Sequence, residues 1–204
     1  MNDEHLPWQL HPSLKPDRLT VIAQTFERVW STVSALHEPQ MGDTSWSLCC
    51  RAYSRTCYEL SRLAQGEHRV WLRIVRDTGL AYLFKIGAVP FKFLRSHPDR
   101  TIPRHRTAKD IEATERQLFD LTERPEIANL LPRFIIETGK GWKVSRVVLG
   151  WVDARGKSHY PYSIPLEAAV VPVTVTKPAA TKLPAAVLGF DQAKRKKRQE
   201  DKVE

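Results

Sequence analysis

Eleven residues, Ser96 to Arg106, contain His97, Asp99, Arg100, Arg104, His105 and Arg106. Imidazoles titrate near neutrality, so two in one loop suit a general base and acid acting on an RNA 2′-hydroxyl. Arginines beside them would neutralise charge building on the reacting phosphate. On this reading the chain is a metal-independent ribonuclease with His97 and His105 as its catalytic candidates. The rival reading needs no catalysis. Pro98 and Pro103 fix the path of a basic surface loop, and its arginines pair with the acidic segment 110–126.

The loop belongs to a longer cationic block. Residues 69–109 hold 10 basic and 2 acidic side chains, whereas 110–137 hold 3 and 7. The whole chain has 32 basic and 23 acidic side chains, a net charge of +9, so most of the excess lies in that block. A clustered excess creates a field that attracts polyanions, while a scattered one mainly aids solubility. Arg69, Arg73, Lys85, Lys92, Arg95, Arg100, Arg104 and Arg106, with Lys109, are the candidates for binding nucleic-acid phosphates. Trp71 is the candidate stacking surface, with Trp142 and Tyr160 behind it. No [KR]-G-[FY]-[GA]-[FY]-V motif is present, so the case rests on charge and aromatic placement. The Lys194–Arg198 run reads as a solvated tail able to add sequence-independent phosphate contacts.

Other chemistries lack their residues. There is no GxGxxG, GxxxxGK[ST], GxSxG or HExxH, and Gly139-Lys140-Gly141 reads as a turn between strands. A magnesium nuclease needs converging carboxylates, but the basic block offers only Asp77 and Asp99. Cys49, Cys50 and Cys57 are an odd number in one helical segment, without a CxxC pair, and read as small buried hydrophobes. No metal and no cofactor is expected. Met1-Asn2-Asp3-Glu4-His5 lacks the basic and apolar parts of a secretory signal, and no apolar run reaches membrane-spanning length. A cytoplasmic protein without membrane contact is the expectation.

Elements must position these side chains. Leu19, Ile22, Phe26, Val29, Trp30, Val33 and Leu36 recur at spacings of three and four, which predicts a helix over 17–36 capped by Asp17. Pro39 and Gly42 end it. A second helix over 43–64 is expected to bury Trp46, Cys49 or Cys50, Tyr53, Cys57, Leu60 and Ala64, forming an antiparallel hairpin with the first. Arg51, Arg55 and Arg62 share roughly one face of it and read as solvated. Alternation over 69–95 predicts a three-stranded meander with a turn at Asp77-Thr78-Gly79. Ile74, Tyr82, Phe84, Ile86, Phe91 and Phe93 face the helices, leaving Arg73, Lys85 and Lys92 opposite with Trp71. A helix over 108–122, a short helix from Pro125 to about Leu131 and a short strand Phe134-Ile135-Ile136 follow. A second hairpin then turns at Asp153-Ala154-Arg155-Gly156 between a strand 142–152 and its return.

The predicted fold class is α+β: an N-terminal αα-hairpin, antiparallel β-meanders with an interposed helix, and a Pro-rich basic C-terminal tail. Residues 1–165 form one domain and 166–204 the tail. The leading expectation is a non-catalytic nucleic-acid-binding protein using the 69–109 surface. The alternatives are the ribonuclease and a protein-interaction subunit assembling through helices 17–36 and 43–64.

Overall fold

In the computed structural model the described residues are 6–78, 81–97, 99–102, 127 and 129–166. The chain opens with a single turn, α1 (Pro7–Leu10), and two long helices, α2 (Pro16–Ala35) and α3 (Ser45–Gln65). Helix α2 starts one residue earlier than expected. Pro16 takes its first position, where a missing N–H costs nothing, and Asp17 lies in the first turn beside the positive helix end. Thr44 caps α3, its hydroxyl accepting the Ser47 N–H at 3.2 Å while the Ser47 hydroxyl accepts the Thr44 N–H at 3.0 Å.

The α2 stripe from Leu19 to Val33 is buried as its spacing predicts, except that Leu36 is exposed. The α3 stripe differs. Leu48, Ala52, Cys57 and Leu60 are buried, whereas Trp46 is 75% exposed. The rest of the expected stripe faces the core, with Cys49, Tyr53 and Ala64 partly buried against it, and Leu48 is the first residue facing inward. Of the thiols only Cys57 is buried; Cys50 is exposed. Burial pushes the Cys57 thiol up to about 12, which keeps it protonated and unreactive.

Among the described residues six strands form one sheet in sequence order: β1 (Leu72–Thr78), β2 (Ala81–Ile86), β3 (Val89–Arg95), β4 (Leu131–Thr138), β5 (Val144–Val152) and β6 (Ser158–Ile164). Two antiparallel meanders, β1–β2–β3 and β4–β5–β6, are present. They join through a parallel pair, Lys92 with Arg133 through Arg95 with Ile136. The sheet is therefore mixed. Strand β1 begins three residues later than expected, because 66–71 form turns. A bulge between Ile74 and Arg76 then shifts its register, which accounts for the extra apolar Val75. Strand β4 spans eight residues instead of three, with Pro132 just before the parallel ladder begins.

The helices cover one face of the sheet. Phe134 is central to that contact, with ring centroids 5.1 Å from Phe91, 5.5 Å from Phe26 and 5.9 Å from Phe84. Burying each such ring contributes about 1.5–3 kcal/mol. Ile74, Tyr82, Phe84, Ile86, Phe91 and Phe93 all face the helices, as the alternation predicts. The opposite face, called the far face below, carries a smaller cluster of Ile102, Ile135, Val148 and Val152.

The expected helix over 108–122, most of the short helix that follows it, Gly79 and nearly all of the Pro-rich tail lie outside the described residues. Among the described residues no helix is long and apolar enough to cross a membrane.

Candidate nucleic-acid interface

Strand pleat places Arg73, Lys85 and Lys92 on the far face. Arg73 lies opposite Lys85, Lys85 opposite Pro90, and Lys92 opposite Arg133. The result is a diagonal of four cations crossing β1 to β4. It is not an open stacking platform, because Leu83, Ile135 and Val148 are buried on the same face and Arg133 is itself buried. Arg133 donates from Nη1 to the Pro132 carbonyl at 3.0 Å. Arg133, Lys85 and Lys92 each have further partners within the structure. Arg73 is the exposed end of the row.

Trp71 does not join Arg73 on the far face. It precedes β1, in a turn closed by the Leu72 N–H donating to the His68 carbonyl at 2.8 Å. From there its ring packs against the helix-side core. The His68 ring lies 5.1 Å from it and the Arg18 guanidinium 5.6 Å above it. Its neighbour Arg69 is exposed.

Arg95 ends β3 on the helix side, and its guanidinium covers Trp142 at 4.8 Å. Trp142 has φ 63°, a left-handed conformation that bulky side chains rarely adopt. Exposed Lys140 and Lys143 flank it. This cation–aromatic group lies at the end of the sheet where β3 and β4 finish.

The segment after β3 turns back across the far face. The Ser96 N–H donates to the Ile136 carbonyl at 3.2 Å, and the Ile102 N–H donates to the Gly156 carbonyl at 2.8 Å. Between these anchors Ile102 enters the far-face cluster. His97 is held at the first anchor: its Nε2 is 3.2 Å from Glu137 and its Nδ1 is 3.3 Å from Asp99. Arg146 grips the other Glu137 oxygen at 2.9 Å. Both ring nitrogens thus face carboxylates. His105, the second half of the proposed acid–base pair, lies outside the described residues, as do Arg104 and Arg106.

Arg100 sits at the second anchor. It lines a notch of about 250 Å³ with Asp99, Thr101, Lys157, Ser158 and Pro161. The hairpin supplying Lys157 is rigid. Asp153 Oδ1 accepts the Arg155 and Lys157 N–H groups at 2.9 Å, and Oδ2 lies 2.9 Å from His159 Nε2. The contact with His159, then the two amides, hold the Asp153 carboxyl below its usual range. Gly156 takes φ 84°, and a Cβ there would strike the Ile102 carbonyl, so only glycine lets the two segments approach this closely. Lys157 and Arg133 escaped the sequence reading. The signal for Lys157 was the strong hairpin motif before it, but nothing local linked that hairpin to Arg100.

The helical hairpin treats its charges differently. Glu59 accepts Arg28 at 3.0 Å and Arg62 at 2.9 Å. Burial raises the Glu59 carboxyl, but these two hydrogen bonds outweigh it and hold the group below its usual range. Asp43 accepts Arg51 at 2.6 Å and the Glu38 N–H at 2.9 Å. By contrast Arg69, Arg73, Arg95 and Arg100 meet no carboxylate among the described residues. No group of three or more His, Cys, Asp or Glu among those residues is placed to hold a metal ion. No protein-family model, curated protein or solved structure matches the chain.

Proposed function

We propose that this protein binds nucleic acid without catalysis, through phosphate contacts made by the arginines of its sheet region. One observation carries the reading. Arg69, Arg73, Arg95 and Arg100 meet no carboxylate among the described residues, while Arg28, Arg51 and Arg62 of the helical hairpin are each matched to one. Unmatched guanidinium groups keep their full attraction for phosphate and release condensed counterions when they bind it. If each of the four neutralises one phosphate, log K falls against log salt with a slope of about −3 to −4.

Fluorescence anisotropy of the full chain with a labelled single-stranded RNA and a labelled DNA duplex, between about 20 and 200 mM salt, tests this. Salt-steep binding to either supports the proposal. No binding at the lowest salt, or binding indifferent to salt, overturns it.

A further inference from the structure

The notch between residues 99–102 and the β5–β6 hairpin is lined by side chains from two separate pieces of chain. Arg100 comes from one and Lys157 from the other, and both are exposed. They were not brought together by loose loops. The Ile102–Gly156 hydrogen bond, the close approach at Gly156 and burial of Ile102 fix the first piece. The Asp153 carboxylate fixes the second. Such a clamp holds two cations around a shared space, which flexible surface lysines do not achieve.

Two further features describe what fits that space. Ser158, in the wall, has its Oγ buried against Gly150 with no hydrogen-bond partner. Being buried there, that oxygen is out of reach of a molecule in the notch, whose cationic donors are Arg100 and Lys157. Asp99 is the one acid among the lining residues, set against the two cations, and its Oδ2 lies 3.3 Å from His97 Nδ1. Two cations against one carboxylate favour an anion, and the volume of about 250 Å³ accommodates a tetrahedral phosphate group.

We infer that this notch is a phosphate-binding subsite, seating one phosphodiester of a nucleic-acid backbone between Arg100 and Lys157. The inference rests on the nucleic-acid reading above and names the point at which the sheet region grips the strand. A backbone contact carries no base information, so it acts equally on unrelated sequences. No bond is made or broken.

The test compares wild type with Arg100→Ala, Lys157→Ala and the double variant in the same anisotropy titrations. Arg28→Ala serves as control, since Arg28 on α2 is matched to Glu59. The double variant should bind about tenfold more weakly to two unrelated sequences, with its salt slope shallower by about 0.7–0.9, while the control is unchanged. Arg100→Glu should weaken binding further. Thermal melts alongside confirm that each variant is folded. Unchanged affinity and slope in a folded double variant overturn the subsite but leave nucleic-acid binding standing through the other arginines. Failure of wild type to bind either nucleic acid overturns both. In that event a titration with pyrophosphate, read by the amide signals of Thr101 and Ser158, shows whether the notch takes free phosphate esters instead.

Discussion

On the helical hairpin, Arg28 and Arg62 share Glu59 and Arg51 closes on Asp43; on the sheet, Arg69, Arg73, Arg95 and Arg100 meet no carboxylate among the described residues. The same residue type thus serves two ends in one chain. On the helices arginine ties neighbouring segments: Arg28 on α2 reaches Glu59 on α3, and Arg51 draws the interhelical turn onto α3. In the sheet region Arg69, Arg73 and Arg100 are presented outward and Arg95 lies over a tryptophan, while Arg146 pairs with Glu137 and Arg133 is buried. A net charge cannot separate these uses. The carboxylates within reach of each guanidinium can.

The largest expected effect concerns the core the two regions share. Phe134→Ala removes a ring stacked among Phe26, Phe84 and Phe91 and should cost about 3–5 kcal/mol in urea denaturation. Helix ellipticity and tryptophan fluorescence should lose signal together. Two separate transitions would mean that hairpin and sheet are independent bodies, and the comparison would be between domains. Gly156→Ala comes next, at about 1–3 kcal/mol, because it forces a side chain into a left-handed backbone against the Ile102 carbonyl.

Exchanging the arginines sharpens the contrast. Arg69→Ala with Arg73→Ala should make the salt slope of nucleic-acid binding shallower by about 1.4–1.8 while changing stability by less than about 0.5 kcal/mol. Arg28→Ala with Arg62→Ala should do the reverse: binding unchanged, stability lower by up to about 1 kcal/mol. If both pairs alter binding equally, the division fails. The smallest effect is acid lability of the interhelical turn. The Glu38 amide, then Arg51, holds the folded Asp43 carboxyl below its ordinary value of 3.8. Its unfolded form therefore takes up a proton first, and its contribution is full above that value and lost as pH falls below it. Asp43→Asn should flatten the dependence of the urea midpoint on pH between about 5 and 3.

Local features were legible in the sequence. The α2 stripe, the helix-facing residues of β1 to β3 and the Asp153–Gly156 turn all follow from spacing of two, three or four residues, or from single residues with fixed backbone needs. What sequence missed lies at longer range. Nothing near Phe91 says that Lys92 pairs with Arg133, so the two meanders read as separate. The turn over 66–71 moved Trp71 off the far face, and the bulge at Val75 shifted the register after it, because alternation holds only while a strand stays regular. Trp46 was assigned inward because it continues the seven-residue spacing of Tyr53 and Leu60, which does not hold in the first turn of α3. Counting charge by segment placed Arg100 and Lys157 in different groups, although the fold clamps their segments together.

The parallel pairing of β3 with β4 also bears on how the chain reaches its native state. Each meander closes through short turns, and such contacts form quickly. The seam between them joins Lys92 to Arg133, roughly 40 residues apart, and its closure entropy must be met before any seam contact rewards it. The rate-limiting barrier should therefore lie at that seam, with substitutions at Ile135 and Ile136 slowing folding more than they hasten unfolding. Until it closes, β3 and β4 each present an unpaired edge, which makes this junction the place where two unfinished copies would find one another.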